Sequence, residues 1–170
     1  MMGHGRPPGW TCPATPAATG GVNPRQPRVS HTMSNADMAS TLQEVIERFG
    51  CTSGTVHRFD GETLTLVTAE NVPEEVLDRI ETIPIGKGMA GLAAERHEPV
   101  ATCDLQVDEE GVAESGARAT GLKGTIAVPM WSEDGELVGV LGVGKPEEYE
   151  FSTAEREELL DVARGIATRI

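Results

Sequence analysis

Disulfide-forming cysteines, long apolar segments and aromatic residues are all scarce in this chain. The three cysteines, Cys12, Cys51 and Cys103, are odd in number and share no CxxC spacing. This pattern argues against a disulfide framework and favours reduced thiols in a cytoplasmic protein. Because no apolar run approaches the length of a transmembrane helix, we expect no contact with a membrane.

Positive charge is scarce as well. The chain has 14 Lys and Arg residues against 27 Asp and Glu residues, which gives a formal net charge of −13. Every acidic residue lies from Asp37 onward. An acidic surface repels phosphate groups, so we expect no direct binding of nucleic acid.

Residues 1–33 have few aliphatic side chains and many prolines and glycines. Such a segment cannot bury enough apolar surface to offset the entropy of ordering, so we expect a disordered tail over 1–33 and one folded domain over 34–170. Polar, helix-starting sequence follows Met33 directly. The alternative that translation starts at Met33 therefore stays open.

From Asp37 onward the apolar spacing predicts a series of helices and strands. The stripe of Leu42, Val45, Ile46 and Phe49 predicts a helix that ends at Gly50. Ser152 and Glu155 form the sequence of a capping box, which predicts the start of the last helix. The other expected elements are strands at 55–59, 64–67, 99–102, 125–130 and 137–143 and short helices at 73–81 and 89–96.

The strand at 137–143 carries apolar residues on both faces, so we expect it to be central in the sheet. Alternation places Leu137, Leu141 and Val143 on one face, towards the terminal helices. The other face carries small residues, Val138, Val140, Gly142 and Gly144. That face should leave space for a loop or a ligand.

Several short motifs occur together in a fixed order over residues 37–170. They are Pro84 to Gly91 (PIGKGMAG), Glu98-Pro99-Val100, Cys103-Asp104, Val128-Pro129, Gly135 to Leu141 (GELVGVL) and Phe151-Ser152. In these motifs the chain resembles the GAF domain family. The resemblance implies an α+β, GAF/PAS-like fold with a central antiparallel sheet of about five to six strands. Terminal helices would cover one face, and loops and short helices the other.

The same glycine turn also fits another motif. Gly86, Gly88 and Gly91 have the G-x-G-x-x-G spacing of dinucleotide-binding folds. That fingerprint needs a buried strand before it and a parallel βαβ unit around it, whereas the sequence here predicts an antiparallel hairpin. We therefore interpret these glycines as turn and close-packing residues.

The resemblance also implies a role. GAF-like domains are small-molecule-sensing or regulatory modules, so we expect a non-catalytic signalling module that acts through a partner protein. One GAF-like branch, the reductases of free methionine R-sulfoxide, uses two cysteines. Here the first of those positions is Ala90, and the loop from Asp104 to Lys123 has no cysteine. A thiol-dependent redox enzyme or sensor that uses Cys103, and a structural dimerisation module with an empty pocket, remain the alternatives.

We expect a ligand pocket lined by Thr55, His57, Cys103, Arg118 and Thr125. Donors and one guanidinium in an acidic domain favour a ligand with a carboxylate or carbonyl end. For His57 a hydrogen-bonded core role is the alternative, for Cys103 a half-buried packing role, and for Arg118 ion pairs within its own loop. The sequence identifies no ligand and no cofactor, and the spacing of its His and Cys residues predicts no metal site.

The last helix has apolar residues over much of its circumference, from Leu159 to Ile170. One sheet face would not cover all of them, and the first helix has an apolar stripe of its own. We therefore expect a homodimer that forms through the terminal helices.

Overall fold

The computed structural model describes residues 34–107 and 119–170, so the tail expected at 1–33 and the loop residue Arg118 lie outside the described residues. Four α-helices and six strands make up the described part. They are α1 (Asn35–Arg48), β1 (Ser53–Phe59), β2 (Thr63–Glu70), α2 (Glu74–Ile80), β3 (Thr82–Pro84), α3 (Gly88–Arg96), β4 (Val100–Thr102), β5 (Thr125–Trp131), β6 (Leu137–Gly144) and α4 (Thr153–Ala167). A short 3₁₀ turn, Leu105–Val107, follows β4.

The six strands form one antiparallel sheet in the order β3-β2-β1-β6-β5-β4. β6 pairs with β1 on one side and with β5 on the other. The predicted central position of strand 137–143 is thus confirmed, as is the α+β fold class. A dinucleotide-binding unit would need parallel strands around the glycine turn, and every pairing among the described strands is antiparallel.

Both terminal helices begin at a serine with a reciprocal cap. The backbone N–H of Glu155 donates to Ser152 Oγ at 3.2 Å, and the Ser152 N–H donates to the Glu155 carboxylate at 2.8 Å. Ser34 and Asp37 form the same box at the start of α1. Each box satisfies two amide groups that the helix itself cannot pair, so the predicted start of the last helix is confirmed.

The helices α1 and α4 cover one face of the sheet. Alternate residues of the central strands meet them there, among them Val56 of β1, Val128 of β5 and Leu141 of β6, all at most 1% exposed. The apolar faces of the two helices complete this core with Met38, Leu42, Val45, Ile46, Leu159, Ala163, Ile166 and Ala167. No helix in the described part is long and apolar enough to cross a membrane.

A β-bulge at the start of β6 changes the expected facing of its first residues. Met130 pairs with Gly139 and Trp131 with Leu137, so Val138 is the extra residue. As a result Val138 packs on the helix-covered side and Leu137 on the opposite side. The sequence-based placement of Leu137 towards the helices was wrong because a bulge reverses strict alternation.

The opposite face is covered by α2 and α3, which flank the edge strand β3 in sequence. The short edge strand β3 was not expected from the sequence; it pairs with β2 through Thr82, Ile83 and Pro84. In the following turn Gly86 and Gly88 have positive φ values of 81° and 60°. A Cβ at Gly91 would lie 2.6 Å from the Pro84 carbonyl oxygen. The interpretation of these glycines as turn and close-packing residues is confirmed.

Gly139 of β6 provides a direct test of this packing. A Cβ at this position would overlap the backbone carbonyl of His57 and the tip of Met130. We expect Gly139→Ala to lower the free energy of unfolding by at least about 2 kcal/mol, within the range known for overpacked cores. Urea denaturation of the purified protein measures this change.

Gly165 is the matched control because it is an exposed helical glycine, and a Cβ added there would meet no neighbouring element within 4 Å. Gly165→Ala should raise the free energy of unfolding by about 0.5–1 kcal/mol, since alanine loses less backbone entropy in a helix. Equal effects of the two substitutions would contradict the close approach of β1 and β6 at Gly139.

Candidate functional site

A cavity of about 670 Å³ lies over the sheet face opposite α1 and α4. Its floor comes from β1, β5 and β6, and its walls come from α2, β3 and the first turn of α3. The volume falls within the range of roughly 300–1,000 Å³ that is typical of small-molecule sites. Most of the lining is apolar, with Val76, Ile83 and Ala127 among the contributing residues.

The floor is open because β6 presents glycines to it. Gly142 lies between Thr55 of β1 and Ala127 of β5, and Gly144 pairs with Thr125. All five residues line the cavity. A Cβ at Gly142 would lie 3.1 Å from Thr55 Oγ1, so a side chain there would occupy space above the floor. The prediction that the small face of this strand leaves space is confirmed.

Three of the five expected pocket residues, Thr55, His57 and Thr125, line this cavity. Cys103 does not lie on its wall, and its side chain is exposed rather than half-buried. Arg118 lies outside the described residues. Contact of any of these residues with a ligand stays a prediction.

His57 of β1 is the most buried polar residue that lines the cavity, with 2% of its surface exposed. Its Nε2 lies 2.9 Å from the carbonyl oxygen of Ile80, at the end of α2. Its Nδ1 is buried and has no hydrogen-bond partner. Burial lowers the pKa of His57 below its ordinary value of 6.5, and the hydrogen bond with Ile80 opposes this change. The imidazole is therefore neutral at neutral pH.

Thr125 occupies another corner of the floor. Its hydroxyl donates to the thioether sulfur of Met89 at 2.9 Å. Met89 belongs to the first turn of α3, so this contact fixes the start of that helix over the floor near Thr125. Because a thioether is a weak acceptor, a ligand oxygen could replace it as the partner of the hydroxyl.

The charges on the wall differ from those of the protein as a whole. Arg79 of α2 and Lys87, directly before α3, line the cavity, and no Asp or Glu is found among the described residues that do so. No side chain caps α3, so its first amide groups, from Gly88 to Ala90, have no partner within the helix. The wall of this acidic protein therefore offers positive charge and hydrogen-bond donors.

Sequence reasoning did not identify Arg79, Lys87 and Met89 as cavity residues. In the sequence Lys87 is one residue of a glycine turn, and Arg79 is one residue of a short helix. The sequence did contain a signal for Lys87. A cation beside a helix start without a capping side chain, both at the glycine turn, forms an element rich in hydrogen-bond donors, and such an element is typical of an anion site. Which face of the sheet it covers follows from the tertiary packing.

Two other buried groups, Cys51 and Lys145, lie outside the cavity. Cys51 belongs to the core between the sheet and the terminal helices, and burial raises the pKa of its thiol to about 11. A thiol with so high a pKa is a poor nucleophile at neutral pH. Lys145 is 7% exposed, and its Nζ lies 3.6 Å from the centre of the Tyr149 ring, a cation–π contact that stabilises its burial.

The described residues contain no group of three or more His, Cys, Asp or Glu side chains that could hold a metal ion. The lining of the cavity also lacks a cluster of such side chains within the described part of the chain. The chemistry that the wall supports is hydrogen bonding and attraction of an electron-rich group.

The sequence matches the family model of the GAF domain over residues 32–170. The chain belongs to the GAF domain family. This GAF domain has the fold that the resemblance implied, with its cavity on the face away from the terminal helices. The comparison with curated proteins gave no match.

Solved structures with a similar fold include reductases and other GAF domains. The free methionine-R-sulfoxide reductase of Neisseria meningitidis, in complex with its substrate, is 23% identical, with a TM-score of 0.64 over 81% of this chain and 78% of that one. The GAF domain of an Acinetobacter phosphoenolpyruvate-protein phosphotransferase is 14% identical, with a TM-score of 0.63 over 78% of each chain.

A third similar structure is the type II free methionine-R-sulfoxide reductase of Thermoplasma acidophilum. It is 18% identical, with a TM-score of 0.62 over 78% of this chain and 89% of that one. At these identities the likeness shows the fold alone. A GAF domain is a sensor and regulatory fold, and these similar structures include two reductases and the GAF domain of a phosphotransferase.

The buried neutral His57 makes stability depend on pH. Because its pKa is lowered in the folded protein, the unfolded chain takes up a proton first as the pH falls below about 6.5. The contribution of this residue is therefore complete above about pH 6.5 and is lost below it, at no more than ~1.4 kcal/mol per pH unit. We expect urea denaturation at pH 7.5 and 5.5 to show this loss in the wild type.

His57→Gln removes the titrating group and should show a smaller loss between the two pH values. His97→Gln, at an exposed position against Trp131, is the control and should behave like the wild type. An identical pH dependence of wild type and His57→Gln would contradict a buried neutral imidazole.

Proposed function

We propose that this GAF domain is a non-catalytic cytoplasmic sensor that binds a small molecule and transmits its binding to a signalling partner. The observation that carries the proposal is the cavity of about 670 Å³ with an apolar lining and few polar groups. Sites for small molecules have this character, because apolar walls supply affinity and a few polar atoms fix orientation.

The charge of the wall supports a ligand with a carboxylate or carbonyl end. Lys87 and Arg79 are cationic, the first turn of α3 offers amide donors, and acidic side chains are missing from the described lining. An anionic oxygen near Lys87 and the helix start would gain charge-assisted hydrogen bonds. Lys87 and the start of α3 would repel a cationic ligand. Arg118 remains a proposed additional contact.

Two observations favour a sensor over a thiol-dependent redox enzyme. By its resemblance to the reductase branch, the position of the first cysteine is occupied here by Ala90. Ala90 lies on the cavity wall. Cys103 is exposed and lies off the wall, so a substrate held in the cavity would not touch its sulfur. On this proposal the domain shares the fold of the reductases and uses its cavity to bind a ligand without thiol chemistry.

We expect a small molecule to be retained by the purified protein and to be lost when the cavity is filled. Ala90→Leu adds a larger side chain at the start of α3, where the residue is partly exposed to the cavity. Native mass spectrometry of full-length protein should show a mass above that of the chain for the wild type and the bare mass for Ala90→Leu.

The matched control is Ala154→Leu at an exposed position of α4, which should retain the ligand. Circular dichroism melts of both variants verify that they fold. If the wild type carries no ligand and no compound from a metabolite library raises its melting temperature, the domain is a structural module with an empty cavity.

We propose further that the protein is a homodimer through its terminal helices. Most apolar residues of α4 face the protein's own core, but Leu160, Val162 and Ile170 remain partly exposed beside it. Leu160 and Val162 are about 200° apart around the helix, so they lie on opposite edges of its buried stripe. Contact of the Val162 edge, which lies next to α1, with the same edge of a second copy would cover Val162. Arg48 of α1 and Glu158 of α4 form an ion pair on the outer surface of these helices. This ion pair marks where the apolar dimer contact that we propose ends and the polar surface begins.

Light scattering at tens of micromolar protein should report twice the chain mass. Val162→Glu should give a monomer, because it places a charge in the apolar contact, while Ala154→Glu on the exposed side of α4 should not. A monomeric wild type would contradict the dimer and leave the ligand proposal unaffected.

A further inference from the structure

Gly142 lies inside β6, a central strand of the sheet, where glycine is unfavourable. It adds no side chain to the packing and loses more backbone freedom on folding than other residues do. Its φ is not positive, so the backbone conformation does not require glycine. A glycine within a strand often marks a close approach of another group, so the reason for Gly142 lies in the space beside it.

At the other glycines of β1 and β6 the protein itself fills that space. A Cβ added at Gly54, Gly139 or Gly144 would lie within 3.0 Å of an atom of another residue. At Gly142 the nearest atom is Oγ1 of Thr55 at 3.1 Å, and the next is a backbone oxygen at 3.9 Å. Among the described residues, no side chain other than that of Thr55 takes the place of the missing one.

The space over Gly142 is open to the cavity. Gly142 pairs with Thr55 on the neighbouring strand, and both residues line the cavity. Both are partly exposed, although β1 and β6 are inner strands of the sheet. Their neighbours on the helix-covered face, Val56 and Leu141, are fully buried. The exposure of Gly142 and Thr55 is therefore towards the cavity, and a bound molecule can touch both.

The hydroxyl of Thr55 is available to such a molecule. It has no hydrogen-bond partner in the described part of the chain, where the one enclosed and unpartnered side-chain nitrogen or oxygen is Nδ1 of His57. The Thr55 oxygen is therefore accessible. A hydroxyl can both donate and accept a hydrogen bond. A polar atom at the edge of a group that lies on Gly142 would be within its reach.

A flat group fits the bare backbone of Gly142 better than a puckered one. Without a Cβ, a ligand can approach the backbone directly. Dispersion attraction falls by a quarter to a half when a gap of about 0.5–1 Å opens between two surfaces. The axial hydrogens of a saturated ring hold most of its carbons away from the backbone. An aromatic ring makes contact across its whole face.

Resting on the proposed small-molecule function, we propose that the ligand contains an aromatic ring that lies flat on Gly142. The ring carries a hydroxyl or carbonyl oxygen at its edge, and this oxygen forms a hydrogen bond with the hydroxyl of Thr55. Thr55 is then a specificity-determining residue of the cavity, and Gly142 is the position that admits the ring.

The neighbours of Gly142 along β6 limit the size of the ring system. On one side lies Val140, which is fully buried. On the other side lies Gly144, which is covered by the side chain of Leu122. Positions 140 and 144 of the strand are roughly 13 Å apart. This distance leaves room for a single ring or for two fused rings.

The test uses naphthoate, its saturated counterpart decahydronaphthoate, and naphthoate isomers that carry one hydroxyl. Isothermal titration calorimetry of the full-length protein at neutral pH gives the affinity for each probe. The saturated probe has more apolar surface, so a featureless apolar cavity would bind it at least as tightly as naphthoate. On the bare backbone of Gly142, naphthoate should bind at least about fivefold more tightly.

One hydroxylated isomer should bind at least about fivefold more tightly than naphthoate, because its hydroxyl pairs with Thr55. An added hydroxyl without a partner would weaken binding. Thr55→Val keeps the shape of the side chain without its hydroxyl. It should abolish the advantage of that isomer and keep the preference for the flat probe. Thr65→Val, at an exposed position of β2, is the matched control and should keep both.

Gly142→Ala places a methyl group between the ring and the backbone, so it should remove the preference for the flat probe. Gly165→Ala on the exposed side of α4 is its control, and circular dichroism melts verify that both variants fold. Proton NMR of the wild type needs no variant. The Cα protons of Gly142 should shift upfield when naphthoate binds, because they face the ring, and much less when decahydronaphthoate binds.

Equal or tighter binding of the saturated probe would overturn the inference, as would a preference for the flat probe that survives Gly142→Ala. A hydroxyl advantage that is absent from every isomer, or that survives Thr55→Val, would overturn it as well, and so would Gly142 proton signals that do not respond to bound naphthoate. If none of the probes binds but native mass spectrometry finds a retained ligand, this ligand class is wrong and the proposed function stands. If there is also no retained ligand, both fail.

Discussion

The pairing of β6 between β1 and β5 is the constraint on which the rest of this structure depends. A strand in that position is covered on both faces, so each of its side chains must fit a crowded environment. On one face Leu141 and Val143 pack under α1 and α4. On the other face Gly142 leaves space for the cavity, and Gly144 makes room for the side chain of Leu122. The same strand thus forms the core on one side and the cavity on the other.

The second general feature is a difference in charge. The chain is acidic overall, whereas the described residues that line the cavity include no Asp or Glu. The net charge of −13 acts over the outside of the protein, and charges more than about 8 Å apart are largely screened at physiological salt. At the edge of the cavity, the exposed Lys87 and Arg79 and the start of α3 are the nearby charges and dipoles. Because more distant carboxylates are largely screened, an anionic ligand is compatible with an acidic protein.

Much of the fold could be predicted from local sequence. The capping box of Ser152 and Glu155, the apolar stripe of α1 and the two-sided apolar character of β6 each have a local physical cause, and the structure confirms all three. The strand β3 was missed because three residues that end in Pro84 have no periodicity of their own. The exchange of Leu137 and Val138 was missed because a bulge depends on the partner strand.

For the site, the sequence by itself determined the family, the glycine at the centre of the floor and three residues that line the cavity, because these depend on residue identity and on strand alternation. Only the tertiary structure decided the chemistry of the wall. The hydrogen bond of His57 joins it to Ile80, 23 residues away, and that of Thr125 joins it to Met89, 36 residues away. The unpaired Nδ1 and the positive corner at Lys87 arise from where α2 and α3 dock on the sheet. That docking depends on contacts between distant segments, which no local pattern encodes.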